Sequence, residues 1–284
     1  MDRRIFAYVD RSPFAESVWQ HAVWASRQLD VPIEVIHVLD HPLAISTRDY
    51  SGHHWLDNSQ GAIEERVRLD ELQNRVLITE GRELLDAVAE EVRKAGVRKV
   101  YQRLFQGTLL DHLREHSESC LMAVIGKRGE GASRDAQHLG RNVERLVRSA
   151  HRPILMVSPE YAPIERAVIA WDGGASSGKS INLLANRLLL QDVPITIVHV
   201  TEHPDYLPAS LEDARAHLQA AGMQVATAGV SGPVSDSILK AMRDHESDLL
   251  VIGAYGHSRI RHLVIGSTTT EILMRSETSV LVFH

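Results

Sequence analysis

A duplicated segment constrains the fold of this chain more than any other feature of its sequence. Residues Val31–Pro42 and Val193–Pro204 are identical at seven of twelve positions. The same offset of 162 residues relates Asp10 to Asp172, each of which follows a short apolar run. Because self-similarity at a fixed spacing is typical of repeated structural units, the chain is predicted to contain two copies of one domain.

Matches near the end of each half define the extent of the repeat. The apolar run before Gly126 corresponds to the run before Gly253, and Arg152–Val157 corresponds to Thr278–Phe283. A chain of 284 residues has room for two domains of ordinary size. We predict the first domain at residues 1–158 and the second at residues 164–284.

Apolar runs alternate with amphipathic stretches in both halves. Runs such as Val31–Val38 are rich in β-branched residues, which is typical of buried parallel strands. Alternating strands and helices predict an α/β fold, in which an open parallel sheet carries helices on both faces. In the first half, Ile63–Leu77 and Glu83–Lys94 are predicted to form two separate helices. In the second half, a helix is predicted over Ile181–Leu190.

The composition narrows the classes of function. A formal charge of -6, with basic residues scattered among acidic ones, argues against a protein that binds nucleic acid. No apolar run approaches the roughly 20 residues of a membrane-spanning helix. The single cysteine, Cys120, excludes an internal disulfide and is expected to be buried in its apolar run. These features predict a cytoplasmic protein with no nucleic-acid or membrane partner.

A glycine-punctuated stretch, Gly253–Thr268, follows a predicted buried strand at Leu249–Ile252 and precedes a predicted helix. Ser267 and Thr268 are both candidate N-caps of that helix. The first amides of a helix carry partial positive charge, which suits a phosphate group. The same glycines would also serve a tight strand-to-helix turn with no ligand, so the loop alone leaves both interpretations open.

Three features of the second half follow predicted strands. Asp172 follows the first strand, Val200–Glu202 ends the second, and Gly253 follows the fourth. In open parallel sheets, ligands bind beyond the carboxyl ends of the strands, at the point where the strand order reverses. We therefore expect these three features to line one crevice.

Catalytic and metal-ligating groups are thinly spread along the chain. The sixteen histidines form no cluster of ligand spacing, so we expect no metal site made by the protein alone. His37 and His199 lie at equivalent positions of predicted strands. Both are expected to be structural residues held by hydrogen bonds.

The spacing of the glycines resembles the nucleotide motif of the universal stress proteins. Gly253-x-x-Gly256 is followed, after nine residues, by Gly266-Ser267. The first half, in the run that begins Gly126-Lys-Arg-Gly-Glu, is similar to the first-domain signature of a tandem two-domain subgroup of that family. The resemblance covers nearly the whole chain and implies two Rossmann-like, adenine nucleotide alpha hydrolase-like domains.

The resemblance implies that the second half binds ATP or AMP. It assigns Asp172 to the base or ribose, the backbone of Val200 to the adenine edge, and the amides at the helix start to the phosphates. Bound ATP would bring Mg²⁺, which prefers oxygen ligands and phosphates. The nucleotide-binding residues implied for this half are Asp172, Gly173, Val200, Gly253, Gly256, His257, Gly266, Ser267 and Thr268.

The first half departs from the family pattern. Ten residues, not nine, separate Gly129 from Gly140, and Arg141 replaces the expected hydroxyl residue. We therefore expect the first half to be a degenerate scaffold, with a weaker nucleotide site as the alternative. That weaker site would consist of Asp10, Val38, Gly126, Gly129, Gly140 and Asn142.

The last strand of each half is a candidate edge strand. These strands are predicted at Ile154–Val157 and Val280–Phe283, and edge strands carry unpaired amides that favour partners. In the resembling family such strands pair between domains, which implies a pseudo-dimer of the two halves within one chain and leaves a further homodimer open. The implied role is that of a stress-response regulatory or interaction protein, with at most slow ATP hydrolysis.

A rival motif overlaps the end of the first strand in the second half. Gly173–Ser180 fits the P-loop expression, in which Lys179 would reach the β- and γ-phosphates of a substrate of an ATPase or kinase. The equivalent loop of the first half, Asp10–Ser17, contains no glycine or lysine. We therefore prefer the universal stress protein interpretation. A nucleotide-free interaction scaffold is the third alternative.

Overall fold

The two halves together form one ten-stranded sheet within the described residues. The structure is a computed structural model and describes residues 3–39, 59–129, 141–187, 189–253 and 267–283. The first half contains β1 (Arg4–Tyr8), α1 (Ala15–Leu29), β2 (Ile33–Leu39), α2 (Ser59–Lys94), β3 (Val100–Gln106), α3 (Leu109–Glu115), β4 (Cys120–Gly126), α4 (Arg141–Ser149) and β5 (Ile154–Val157). The second half contains β6 (Ala167–Trp171), α5 (Ala175–Arg187), β7 (Ile195–Val200), α6 (Ala209–Ala220), β8 (Val225–Val230), α7 (Val234–Asp244), β9 (Leu249–Gly253), α8 (Ser267–Arg275) and β10 (Ser279–Phe283).

The strand order is the same in both halves. Across the sheet the strands lie in the order β3-β2-β1-β4-β5-β10-β9-β6-β7-β8. Neighbouring strands run parallel within each half. At the centre β5 and β10 pair antiparallel, with Leu155 opposite Leu281. The predicted parallel α/β fold is confirmed, and the last strand of each half lies beside the last strand of the other.

Each face of the sheet has its own hydrophobic core, because successive side chains of a strand point to opposite faces. Ile5 and Ala7 of β1 belong to the core that includes α1, α2, α5 and α6. Phe6 and Tyr8 belong to the core that includes α3, α4, α7 and α8. The central strands are covered on both faces, which explains why their apolar runs are continuous and why chemistry is left to the strand ends.

The prediction of two helices between β2 and β3 was wrong. The chain forms one helix of 36 residues, α2, which continues through Gly81. A Cβ at Gly81 would lie 2.8 Å from Cδ2 of His37 and 2.8 Å from Cδ1 of Leu104. Gly81 therefore lets the helix lie close to β2 and β3, and this packing outweighs the weak helix propensity of glycine.

Two further expectations concern burial and membranes. Cys120 is buried on β4, so the prediction of a buried cysteine is confirmed. Burial also raises the pKa of its thiol to about 12. Among the described residues, no helix is long and apolar enough to cross a membrane.

Candidate functional site

The strand order reverses between β6 and β9 in the second half. These neighbouring strands run parallel, so their carboxyl ends lie at the same edge of the sheet. Asp172 directly follows β6, Gly253 ends β9, and Val200 ends β7 on the other side of β6. The structure therefore brings together three of the predicted site residues at a switch point, which is where ligands bind in open α/β sheets.

Asp172 holds the start of α5. Its Oδ1 accepts a hydrogen bond from the backbone N–H of Gly174 at 2.8 Å and another from the hydroxyl of Ser177 at 2.6 Å. The residue as a whole is exposed to solvent. Asp172 is thus fixed in position by the turn that it closes, while remaining accessible to a ligand at the strand end.

The first half repeats this turn at Asp10. Oδ1 of Asp10 accepts hydrogen bonds from the backbone N–H of Ser12 at 3.0 Å and from its hydroxyl at 2.5 Å. Ser12 corresponds to Gly174 at the repeat offset. The aspartate after the first strand therefore has a structural role in both halves, since a side chain that bonds the amide two residues on stabilises a turn.

The glycine that ends the fourth strand of each half permits close helix packing. A Cβ at Gly253 would lie 2.8 Å from Cβ of Ser176 at the start of α5. A Cβ at Gly126 would lie 2.6 Å from Cβ of Phe14, the residue before α1. Phe14 and Ser176 are repeat equivalents. These glycines are therefore needed for packing whether or not a ligand is bound.

The second half does not fold as a P-loop at Gly173–Ser180. A P-loop wraps a phosphate with irregular backbone before its helix begins, but α5 begins at Ala175 and not at Ile181 as predicted. The N–H of Gly178 already donates to the carbonyl of Gly174 at 3.0 Å. The hydroxyl of Ser180 is buried and donates to the carbonyl of Ser177, so it does not point to a metal site.

The two repeated histidines have the same contact. Nδ1 of His37 lies 2.8 Å from the carbonyl oxygen of Val9, and Nδ1 of His199 lies 3.0 Å from the carbonyl oxygen of Trp171. A carbonyl only accepts, so Nδ1 carries the proton in each ring. Each ring thereby fixes the strand end just before Asp10 or Asp172, and the prediction of hydrogen-bonded structural histidines is confirmed.

Of the remaining predicted residues of the second half, some lie within the described part of the chain and others lie outside it. Val200 is half-buried at the end of β7, and α8 begins at Ser267, with Thr268 half-buried in its first turn. Gly256, His257 and Gly266 lie outside the described residues. Gly173, with φ of +73°, takes the left-handed conformation that glycine allows and forms the turn between β6 and α5.

In the first half, the structure brings Asp10 and Gly129 together. A Cβ at Gly129 would lie 3.2 Å from Oδ2 of Asp10. Val38 lies near the end of β2, and Asn142 lies in the first turn of α4. Gly140 lies outside the described residues. In the described parts of both halves, no group of three or more His, Cys, Asp or Glu side chains could hold a metal ion.

Sequence reasoning missed two polar side chains that connect the halves. Nζ of Lys127 donates hydrogen bonds to the carbonyl oxygens of Ser276 and Thr278, each at 2.6 Å. Nε2 of His21 lies 3.0 Å from the hydroxyl oxygen of Ser279. Burial lowers the pKa of the His21 ring to about 4 and, with a smaller effect of nearby Arg128, that of Lys127 to about 7. The sequence did contain a signal for these two residues, because they differ between the halves: Leu183 is the second-half counterpart of His21, and Ala254 is that of Lys127.

Two comparisons with known proteins, one with family models and one with single proteins, point to the same family. A model of the universal stress protein family matches residues 1–158 and 163–284. The chain is 33% identical over 286 residues to the universal stress protein Slr1230 of Synechocystis sp. (strain ATCC 27184 / PCC 6803 / Kazusa), covering 99% of this chain and 100% of that one.

Two solved structures share the fold over the whole chain. A universal stress protein from Archaeoglobus fulgidus DSM 4304 superposes with a TM-score of 0.70 at 18% identity, covering 99% of this chain and 95% of that one. A putative universal stress protein from Pseudomonas aeruginosa UCBPP-PA14 superposes with a TM-score of 0.63 at 16% identity, covering 99% and 93%. At these low sequence identities, the similarity to the two solved structures shows a shared fold and nothing about shared ligands.

Proposed function

This chain belongs to the universal stress protein family, and we propose that its second half binds an adenine nucleotide, ATP or AMP. We further propose that the bound state controls contacts with partner proteins, as expected of a stress-response regulatory or interaction protein. We propose that the chain consists of two domains, at 1–158 and 164–284, which correspond to the segments matched at 1–158 and 163–284.

One observation carries the proposal: an exposed, pre-positioned carboxylate lies at the switch point of the sheet. Asp172 is held by the N–H of Gly174 and the hydroxyl of Ser177, so it needs little reordering to accept a hydrogen bond from a ribose or a base. Strand β7 pairs directly with β6. The backbone at its end, at Val200, would meet the adenine edge. Gly173 forms the turn between the carboxylate and α5.

The phosphates are assigned to the start of α8. This helix of nine residues begins at Ser267, and its first amides and the hydroxyl of Thr268 would donate to phosphate oxygens. Gly253 continues into the glycine motif with Gly256, His257 and Gly266, which we assign to the ribose and phosphates from the motif spacing.

Mg²⁺ would arrive with ATP. The described residues offer no group of three metal-ligating side chains, and Asp172 already accepts two hydrogen bonds. A cation of this kind is bound in such sites chiefly by phosphate oxygens and water. When bound, it would neutralise phosphate charge, while the chain supplies helix amides and hydroxyls.

The first half is proposed to be a scaffold, so that one chain binds one nucleotide. Arg141 begins α4 where the motif expects a hydroxyl residue, and Lys127 is directed toward the second half. The pairing of β5 with β10 supports a pseudo-dimer of the halves within one chain. We also propose a location in the cytoplasm, which is compatible with a fold that contains no internal disulfide.

Calorimetric titration of the intact chain with ATP, and separately with AMP, tests this function. We expect saturable heat with about one site per chain. Two equal sites would show that the first half also binds. Absence of heat together with an unchanged melting temperature would leave the nucleotide-free scaffold as the function.

A further inference from the structure

Lys127 belongs to the first-half glycine turn but contacts the second half. It follows Gly126 at the end of β4, and its side chain is 8% exposed. Nζ donates to the carbonyl oxygens of Ser276 and Thr278, which lie in the connection between α8 and β10. Ser276 directly follows α8, so the amine meets the carbonyl end of that helix, where partial negative charge favours a cation.

His21 makes a second contact of the same kind from α1. Its ring is 1% exposed, and Nδ1 lies 2.8 Å from the carbonyl oxygen of Ser17. Because a carbonyl only accepts, Nδ1 carries the proton and Nε2 accepts from the hydroxyl of Ser279 at 3.0 Å. The oxygen of Ser279 accepts in turn from the N–H of Ser158, at 3.4 Å. His21 and Ser158 in the first half thus meet the first residue of β10.

The surroundings of Lys127 leave little room for another positive charge. The pKa of Lys127 is lowered to about 7, mainly by burial and to a smaller extent by Arg128. Glu277, between the two acceptor residues, acts in the opposite direction. A second cation at this place would add repulsion in a site where water screens charges poorly.

The repeat shows what another strand would bring to this place. In the aligned halves, Ser276–Ser279 before and at the start of β10 corresponds to Ala150–Pro153 before β5. If β5 of a second copy replaced β10, Arg152, whose Nε donates to the carbonyl oxygen of Ser117 in its own half at 2.8 Å, would take the strand position of Thr278. Pro153 would take the place of Ser279 and would leave His21 without its hydroxyl partner. The replacement would bring a second cationic residue to the strand position next to Lys127 and would remove a buried hydrogen bond.

We propose that Lys127 and His21 make the β5 edge selective for β10, so that the first half pairs with the second half and rejects the first half of a second copy. Lys127 donates to backbone carbonyls, which a second copy would also offer, whereas His21 accepts from a hydroxyl that only β10 carries. The selectivity therefore rests on the charge of Arg152 and on the hydrogen bond between His21 and Ser279. Two copies of the chain would therefore associate through a surface other than β5. This selectivity is independent of nucleotide binding.

Transplanting the residues that precede β5 onto β10 in the full chain tests the selectivity. The variant Thr278→Arg/Ser279→Pro should increase amide hydrogen exchange of Leu155 and Leu281, in the paired strands, by about tenfold or more. The same transplant in a Lys127→Met background should cause a clearly smaller increase, because the repulsion is gone. Equal increases in the two backgrounds, or no increase in either, would overturn the proposal.

A second cycle covers the case in which the transplanted chain does not fold. His21→Leu introduces the residue that the second half carries at Leu183, and Ser279→Ala removes the hydroxyl. The double variant should lose clearly less exchange protection in β5 and β10 than the sum of the two single variants, because both substitutions remove the same contact between His21 and Ser279. Additive losses would show that His21 does not recognise Ser279 and would overturn its part in the selectivity.

Discussion

The hydroxyl of Ser177 lies 2.6 Å from Oδ1 of Asp172, so the carboxylate proposed to meet the nucleotide is also tied to the first turn of α5. In the first half the equivalent residue is Ala15, which has no hydroxyl. The hydroxyl that holds the aspartate therefore comes from α5 in the second half and from Ser12, inside the turn, in the first half.

Ser177→Ala should weaken ATP binding by roughly three- to tenfold, because the side chain of Asp172 would be held less rigidly. It should also lower the free energy of unfolding by about 1 kcal/mol, the usual contribution of one hydrogen bond. Calorimetry and chemical denaturation measure the two effects. Ser180→Ala is the matched control, since its hydroxyl bonds the carbonyl of Ser177 and not Asp172. Equal loss of affinity in both variants would contradict the support role.

Gly253→Ala should destabilise the second half. The new Cβ would lie 2.8 Å from Cβ of Ser176 and 3.2 Å from backbone atoms of α5, so the helix must shift. We expect a loss of about 1–3 kcal/mol in the free energy of unfolding, as for other overpacked sites.

Gly178→Ala is the control for that experiment. It lies in the same helix, and a Cβ there would meet no atom within 4 Å. Because alanine favours helix over glycine, this variant should gain up to about 1 kcal/mol. Urea denaturation measures the free energy of unfolding of both variants. An unchanged value for Gly253→Ala would show that the close approach between Gly253 and α5 can relax at little cost, which would contradict the prediction.

Acid should destabilise the chain through His21. Burial lowers the pKa of this ring to about 4, below its ordinary value of 6.5. Between these values the unfolded chain binds a proton that the native ring does not, so stability falls as pH falls through this window. The slope is about 1.4 kcal/mol per pH unit for one such group.

The variant His21→Leu tests that slope by urea denaturation between pH 7 and pH 4. It should remove the His21 contribution, so its stability should depend less steeply on pH than that of the wild type. His217→Leu, at an exposed histidine, should retain the wild-type slope. Identical slopes in all three chains would contradict a buried neutral His21.

The glycine motif and the P-loop expression predict opposite outcomes for two substitutions. Gly266→Glu places a side chain and a negative charge at the proposed phosphate position and should abolish ATP binding. Lys179→Ala should leave the affinity within about threefold, because Lys179 is an exposed residue on α5. A large loss of binding with Lys179→Ala would favour the P-loop.

Much of the fold could be predicted because the chain repeats itself. The repeat placed Asp10 and Asp172 at strand ends, and the apolar runs gave the strands of the sheet. The break predicted in α2 failed because the role of Gly81 depends on His37 and Leu104, which are distant in sequence.

The contacts between the halves could not be predicted from local pattern. Lys127 and its acceptor Ser276 are separated by 149 residues, and the acceptor is a backbone carbonyl that carries no sequence signal. The position of Asp172 and Val200 at the ends of two neighbouring strands could be predicted, because each lies at the end of a clear apolar run. The role of Asp172 as a turn residue depends on geometry that becomes visible only in the folded chain.

Paired alanine substitutions of the two repeated aspartates test the central claim most directly. Asp172→Ala and Asp10→Ala each remove a carboxylate that closes the same turn, so both should cost a similar, modest stability of about 1 kcal/mol. Calorimetric titration with ATP should then show about a tenfold or greater loss of affinity for Asp172→Ala and an affinity within about twofold of wild type for Asp10→Ala. Equal affinities of the two variants, or a loss confined to Asp10→Ala, would contradict a nucleotide site in the second half.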